Sequence, residues 1–181
     1  DSNLFRRRQL DDLFGGRIQT LAANAFNIAA ATKDADLLVG SVLIPGALTP
    51  KLVTEAMVKT MKPGSAIVDV AIDQGGCIEP TAKHGATYHD KPTFKYPVNG
   101  GEVVCYSVGN MPGAVARTST FTLTNATMPY MVDLANKGWK KACQDDKALA
   151  RGINTYDGKV YFKGVSDALG YELHCTCDIL K

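Results

Sequence analysis

The sequence predicts an α/β protein in which a doubly wound parallel sheet is followed by a mainly helical segment. Short apolar runs of strand length alternate with helix-compatible segments up to Asn110, and crossover helices between parallel strands produce that order. The runs are continuously apolar rather than alternating, which is typical of strands covered on both faces. After Asn110 the strand-like runs stop, and helix-compatible sequence takes over.

The first helix is predicted over residues 3–14. Leu10, Leu13 and Phe14 follow the i, i+3, i+4 spacing of one helix face. The pair Gly15-Gly16 that follows is a typical helix stop. The chain therefore opens with a helix that ends before the first predicted strand.

Four strands are predicted, each as a mostly apolar run bounded by turn-forming or polar residues. They lie at about residues 18–22, 35–43, 66–71 and 103–108.

Two helices are predicted between these strands. The first is an alanine-rich, helix-permissive stretch from residue 26 to about residue 33. The second is predicted to be capped by Thr49 and opened by Pro50, and it ends before the turn Pro63-Gly64. Its apolar side chains share one face: Val53, Ala56, Met57 and Met61.

The alternation of strand-like and helix-compatible runs stops between residues 75 and 101, where the sequence is rich in Gly, Pro, Thr, His and Lys. This composition predicts either a functional loop or an irregular hairpin. Beyond Pro112-Gly113 a helix is predicted through residue 135 and a second one around residues 139–151. We therefore expect a nucleotide-binding sheet domain over residues 1–112 and a helical part of a substrate domain over residues 113–181.

Composition excludes several classes of protein. The chain carries 20 Lys and Arg against 18 Asp and Glu, a balance that predicts no nucleic-acid partner. No apolar run reaches the length of a membrane span, so we expect a cytoplasmic protein without a membrane partner. Five cysteines without a secretory signal predict reduced thiols and no disulfide framework. His174, Cys175 and Cys177 lack a second ligand pair, so no metal site is predicted.

Two loops after predicted strands are unusual, and ligands of such sheets bind beyond the carboxyl ends of the strands. Val42-Leu43-Ile44-Pro45-Gly46 lets the backbone approach a ligand, or forms a simple turn before a helix. Ala71-Ile72-Asp73-Gln74-Gly75-Gly76 places an acid at a strand end before a glycine pair, which indicates either a catalytic group or a turn former.

Three segments in this order carry a specific resemblance: GSVLIPGAL, MKPGSAIVDVAIDQGGC and VGNMPGAVARTSTFTLTNATMPY. The chain resembles L-alanine dehydrogenases over nearly its whole length. The resemblance implies a Rossmann-like domain inserted into a split substrate domain. It also implies that this chain lacks the first Rossmann strand, because no G-x-G-x-x-G occurs in it.

The resemblance implies roles for individual residues. Asp73 matches the family's catalytic acid, and Asp1 matches the acid that binds the adenosine ribose and favours NAD over NADP. The remaining cofactor positions fall into four groups: Arg6 near the adenosine, Val42 and Leu43 beside adenine and ribose, Val70, Ala71, Ile72 and Asp73 on the nicotinamide side, and Val108, Gly109, Asn110 and Met111 closing the cleft.

The implied activity is reversible, NAD-dependent deamination of L-alanine to pyruvate and ammonia by the complete enzyme. The implied partners are the amino-terminal half of the same enzyme, with the glycine-rich loop, and further copies in a hexamer. The chain alone is expected to be inactive. Two alternatives stay open: the NAD-binding component of a proton-translocating transhydrogenase, and a non-catalytic nucleotide-binding or assembly module.

Overall fold

A four-stranded sheet organises the first part of the chain. Its strands are β1 (Leu37–Gly40), β2 (Ala66–Asp69), β3 (Thr93–Val98) and β4 (Gly101–Tyr106). In the computed structural model, which describes all 181 residues, the strand order is β1-β2-β4-β3. β1, β2 and β4 run parallel, and β3 pairs antiparallel with β4 at the edge. The predicted α/β class is confirmed, whereas the antiparallel edge strand was not predicted.

The chain divides into two compact units. The first contains residues Asp1–Val42 and Thr49–Gly109, and the second contains Leu43–Leu48 and Asn110–Lys181. The proposed division into a domain over residues 1–112 and another over residues 113–181 stays a prediction, because it concerns the roles of the two parts.

Four helices belong to the first unit: α1 (Leu4–Phe14), α2 (Ala25–Asp34), α3 (Glu55–Val58) and α4 (Glu79–His84). The predicted first helix is confirmed as α1. Asn3 caps it by accepting a hydrogen bond from Arg6 N at 3.1 Å, and Gly15 ends it in the left-handed conformation at φ 55°. The alanine-rich helix is confirmed as α2.

The strand predicted at residues 18–22 is wrong. The backbone nitrogen of Asp1 donates to Leu21 O at 3.0 Å, and Ala23 N donates to Asp1 O at 3.2 Å. In the structure residues 18–22 adopt an irregular conformation, and these bonds to Asp1 hold the end of the segment.

The helix predicted from Thr49 and Pro50 begins later, at Glu55. Thr54 caps it by accepting a hydrogen bond from Met57 N at 3.3 Å. Thr49 N instead donates to Gln74 O at 3.0 Å, which ties that residue to the loop after β2. The local cap signal at Thr49 is overridden by this tertiary hydrogen bond.

The segment between residues 75 and 101 contains regular structure. It begins with α4 and continues into β3, which forms a hairpin with β4 through Asn99 and Gly100. The hairpin alternative of the prediction is therefore the correct one. β3 contains Pro97 and Lys95, residue types that an edge strand tolerates and a central strand does not.

The hydrophobic core lies on one face of the sheet. Ile67 and Cys105 pair across β2 and β4, and Val58 of α3 packs on the same side. On the opposite face Val39 is 52% exposed and Val104 is 38% exposed. The two-sided cover that continuous apolar runs predict is therefore not provided within this chain. The other buried members of the cluster are Val53, Met61, Ala71, Cys77, Ile78 and Val103.

The second unit is mainly helical, as predicted. Its elements are α5 (Ala116–Asp145), α6 (Lys147–Ala150), the hairpin β5 (Thr155–Tyr156) and β6 (Lys159–Val160), and α7 (Lys163–Leu169). α5 is interrupted at Gly138, where φ is 72° and ψ is 159°. This kink divides it near the boundary between the two helices predicted for this region.

The loop Leu43–Leu48 packs within the second unit through glycine contacts. A Cβ atom at Gly164 would collide with the carbonyl oxygen of Pro45, and one at Gly46 would lie 2.8 Å from the Phe162 ring. Glycine at these positions is therefore required by packing of the chain against itself. A ligand is not needed to explain the Pro45-Gly46 pair.

Near the end of the chain, Cys175 and Cys177 form a disulfide, with their Cα atoms 5.2 Å apart. The prediction of reduced thiols is wrong for this pair, because a single turn brings the two residues within disulfide range. Cys77, Cys105 and Cys143 are free and buried. None of the helices is both long enough and apolar enough to span a membrane.

Candidate active site

The carboxyl ends of the three parallel strands meet at one edge of the sheet. Gly40 pairs with Asp69, and Val68 pairs with Tyr106, so β1, β2 and β4 end side by side. Within the first unit, the loops that follow β2 and β4 leave from this edge. Ligands of open α/β sheets bind at such an edge, which makes these loops the candidate site.

A tight turn follows β2 and carries Asp73. Ile72–Gln74 forms a single 3₁₀ turn, and Gly75 ends it with φ at 89°. Gly75 N donates to Ile72 O and Gly76 N donates to Ala71 O, each at 2.9 Å. Because Gly75 occupies the left-handed region, a residue with a side chain is disfavoured there. The turn leaves the Asp73 side chain exposed at the sheet edge.

The structure brings Asp73 to the loop after β4. A Cβ atom at Gly109 would lie 3.0 Å from Asp73 Oδ1 and 3.7 Å from the Ala86 side chain. Gly109 therefore leaves the space that the Asp73 carboxylate uses. Two residues predicted for the site, 36 positions apart in the chain, are close neighbours in the fold.

A buried carboxylate that the sequence analysis missed organises this turn. Asp69 is fully buried at the end of β2 and accepts hydrogen bonds from Ala71 N at 3.2 Å, Cys77 N at 3.1 Å and Ile78 N at 3.2 Å. The Thr81 hydroxyl donates to Asp69 Oδ2 at 2.5 Å. Asp69 thus joins both ends of the turn to the start of α4.

Two further contacts fix the turn. Gly76 has φ at +74°, and a Cβ atom there would lie 2.8 Å from Asp69 Oδ2. The Lys51 ammonium donates to Gly75 O at 2.5 Å and to Gly76 O at 2.6 Å. The sequence offered one signal for the role of Asp69, which is an acid inside the apolar run 66–71. An unpartnered buried carboxylate is costly, so an acid at such a position is expected to have hydrogen-bond partners.

The thiols near this network are poor nucleophiles. Burial, reinforced by the neighbouring Asp69 charge, raises the pKa of Cys77 to about 11, and burial raises the pKa of Cys105 to about 11. The neutral thiol is favoured because the charged form is desolvated. Neither cysteine is suited to nucleophilic catalysis.

We expect Cys77 and Cys105 to resist alkylation in the folded chain at pH 8. The raised pKa lowers the thiolate fraction about 100-fold, and burial adds a further barrier. The measurement is the rate of iodoacetamide labelling at each cysteine by mass spectrometry, with the urea-unfolded chain as control. Equal labelling rates in the folded and unfolded chains would contradict the buried placement.

The apolar positions predicted on the nicotinamide side differ in their exposure. Val70 is 46% exposed, whereas Ala71 and Ile72 are buried. Val108, predicted to close the cleft, is also buried, and Val42 is half-buried against the core. Ala71, Ile72 and Val108 therefore offer a ligand little exposed surface, in contrast to Val70.

Asp1 and Arg6 lie at the start of α1. Asp1 Oδ1 accepts a hydrogen bond from Asn3 N at 2.8 Å, and the Arg6 guanidinium donates to Gln9 Oε1 at 2.6 Å. Both side chains are exposed. An exposed carboxylate is the chemical group that accepts hydrogen bonds from a ribose diol.

Three predicted site residues belong to the second unit. Leu43 is 66% exposed, Asn110 adopts the left-handed conformation at φ 53°, and Met111 begins the 3₁₀ turn Met111–Val115. Asn110 lines a groove of about 680 Å³ in this unit. The wall of the groove includes the α5 residues Thr118, Ser119 and Thr122.

A model of a known protein family, described as alanine dehydrogenase/PNT, C-terminal domain, matches residues 1–163. The chain belongs to this family. The resemblance read from the sequence motifs is confirmed. Asp73 and Asn110 both lie inside the matched range.

The curated relatives in this family include two alanine dehydrogenases of differing similarity. The protein named alanine dehydrogenase from Bilophila wadsworthia is 98% identical over 181 residues, which cover 100% of this chain and 48% of that protein. The alanine dehydrogenase of Bacillus subtilis is 58% identical over 172 residues, 95% of this chain and 44% of that protein. The chain spans about half the length of these relatives.

Solved structures agree with the family. An L-alanine dehydrogenase structure matches with a TM-score of 0.75 and 45% identity, covering 94% of this chain and 45% of that chain. A transhydrogenase from Sinorhizobium meliloti matches with a TM-score of 0.59 and 25% identity, covering 80% of this chain and 37% of that chain. The Rossmann-like fold class is thereby confirmed.

Proposed function

We propose that the complete enzyme containing this chain catalyses the reversible, NAD-dependent deamination of L-alanine to pyruvate and ammonia. The observation that carries the proposal is the exposed carboxylate of Asp73 on a rigid turn at the carboxyl edge of the sheet. The names of the relatives support this choice of reaction, since a protein named alanine dehydrogenase is 98% identical to the chain over 181 residues.

NAD is the proposed cofactor, and the chemistry of the residues fits it. Asp1 offers an acceptor for the adenosine ribose, and Arg6 a cation beside the adenosine. Val70 and Leu43 offer exposed apolar surface, and Gly109 offers backbone without a side chain. The other proposed contacts are Val42, Ala71, Ile72, Val108, Asn110 and Met111. Bound at these residues, NAD would supply the hydride acceptor for oxidation of the α-carbon of alanine.

Asp73 is the proposed catalytic residue of this chain. Once the ammonium group of alanine has lost a proton to a base elsewhere in the enzyme, loss of hydride leaves a positively charged imine, which a nearby carboxylate stabilises. Before that step, the same carboxylate accepts a hydrogen bond from the substrate amino group and orients it. Afterwards it holds the water that attacks the imine carbon, while a base elsewhere in the enzyme takes the released proton. The C–N bond of the resulting carbinolamine then breaks, which releases ammonia and leaves pyruvate.

The proposed partner is the amino-terminal half of the same enzyme. By family resemblance it supplies the glycine-rich loop, the substrate-binding lysine and arginine, and the catalytic histidine. Exposed apolar side chains on α5 support a requirement for such a partner or for further copies in a hexamer, because Phe121, Leu123 and Met131 are all at least 60% exposed.

The proposed activity is tested in the Bilophila wadsworthia alanine dehydrogenase carrying these 181 residues in place of its matching segment, called the joined enzyme below. We expect NADH formation that depends on L-alanine, and pyruvate as the product. Hydride exchange between two nicotinamide cofactors is assayed in parallel. Exchange without alanine turnover would contradict the proposal and favour the transhydrogenase alternative, which the structural match to a transhydrogenase supports.

We expect Asp1 to determine the choice between NAD and NADP. In the joined enzyme, Asp1→Ser removes a carboxylate that binds the ribose and repels a 2′-phosphate. Because charged hydrogen bonds contribute about 1.5–3 kcal/mol, the ratio of kcat/KM for NAD over NADP should fall about 10- to 100-fold. Steady-state kinetics with both cofactors measure it, with Asp12→Ser on the same helix as control. An unchanged ratio would remove Asp1 from the ribose site.

A further inference from the structure

We infer that Asp69 is a positioning residue for the reaction, which acts by holding the Asp73 turn in its productive geometry. The inference rests on the proposed function, because it assigns Asp69 a role through Asp73. It extends that function to a fully buried residue that accepts hydrogen bonds from the backbone of Ala71, Cys77 and Ile78.

The hydrogen bonds of Asp69 bracket Asp73. Ala71, two residues before Asp73, and Cys77, four residues after it, both donate their backbone N–H groups to the Asp69 carboxylate. The turn therefore has both of its ends joined to one side chain. A carboxylate can accept these bonds simultaneously because both of its oxygens act only as acceptors.

Oδ2 of Asp69 is held by close contacts with the start of α4. The absence of a side chain at Gly76 admits Oδ2, which would lie 2.8 Å from a Cβ atom there. Oδ2 also receives the Thr81 hydroxyl at 2.5 Å and Ile78 N at 3.2 Å. The geometry connects the first turn of α4 through Asp69 to the catalytic turn.

Small displacements of a positioned group are costly in catalysis, since an error of about 1 Å lowers rates by up to about 100-fold. Loss of one Asp69 contact should therefore cause a large fall in kcat even where the melting temperature changes little. Thr81→Val removes the hydroxyl donor and keeps the volume of the side chain. Asp69→Asn places an amide NH₂ opposite backbone donors and should shift the turn further.

The test is a double-mutant cycle in the joined enzyme, with kcat measured at 25 °C beside thermal melting. We expect Thr81→Val to lower kcat about 10- to 100-fold in the parent enzyme but less than about twofold in the Asp73→Asn background. Thr81→Ser, which keeps the hydroxyl, should restore most of kcat. Thr32→Val is the matched control, because Thr32 is equally buried and its hydroxyl has no hydrogen-bond partner.

The possible outcomes test the positioning role of Asp69 separately from the catalytic role of Asp73. An equal loss of kcat from Thr81→Val in both backgrounds, or no loss in the parent, would overturn the positioning role while leaving the proposed function intact. A normal kcat for Asp73→Asn alone would overturn the catalytic assignment, and the positioning role with it. If Asp69→Asn does not fold, the Thr81 variants still decide the inference.

Discussion

Asp73→Asn in the joined enzyme should lower kcat for alanine deamination by about 10²–10⁴-fold, the range for a positioned proton-handling group. Asparagine keeps the shape of the side chain and removes the charge that stabilises the imine. The turn itself should persist, because asparagine also forms the local hydrogen bonds of such turns. NAD affinity should change much less than kcat.

The measurement for Asp73 is steady-state kinetics in both directions, combined with NAD titration and thermal melting. Asp90→Asn, at an exposed position of the same unit, is the matched control and should retain normal kcat. If Asp73→Asn retained near-normal kcat, Asp73 would be only a turn former. If it lost its fold together with its activity, the kinetic result would not support a catalytic role.

The second large effect concerns the chain alone. We expect no alanine-dependent NADH formation by the isolated 181-residue chain, at a rate below about one ten-thousandth of that of the joined enzyme. The chain contains no G-x-G-x-x-G segment to bind the pyrophosphate, and its one proposed catalytic residue is Asp73.

NADH absorbance with L-alanine and NAD measures this difference, and addition of the separate amino-terminal half of the relative is the informative control. Restored turnover on addition would support the proposed partner. Robust turnover by the isolated chain would contradict the assignment of essential groups to that partner, and would require a second proton-handling residue in this chain.

The elements that the sequence predicted well are those decided by local signals. Asn3 and Gly15 bound α1 because capping depends on a few neighbouring residues. β2 and the position of Asp73 directly beyond it follow from an apolar run that ends in an acid and a glycine pair. In each case the decisive interactions lie within a few positions of one another.

The failures share a dependence on distant partners. Residues 18–22 have strand composition but form no strand in the structure, and β3 has unfavourable composition but pairs with β4 over six residues. Strand formation depends on pairing as much as on propensity. Thr49 likewise has the local signal of a helix cap, but its backbone N–H donates to Gln74 O, 25 positions away.

In the candidate site, too, local sequence signals were predictable and contacts between distant residues were not. The sequence and its resemblance supplied Asp73 and Gly109, but their proximity depends on the parallel pairing of β2 with β4. The role of Asp69 could not be predicted from the sequence, because its hydrogen-bond donors at residues 71, 77, 78 and 81 come together only when α4 packs against the end of β2.

A crystal structure of the joined enzyme with NADH and pyruvate would test the proposed roles of the sheet edge and of Asp73. We predict the nicotinamide at the carboxyl edge of β2 and β4. We also predict an Asp73 carboxylate oxygen about 3 Å from pyruvate or from a water that contacts its carbonyl carbon. A nicotinamide bound elsewhere, or a pyruvate that contacts neither Asp73 nor such a water, would contradict these roles.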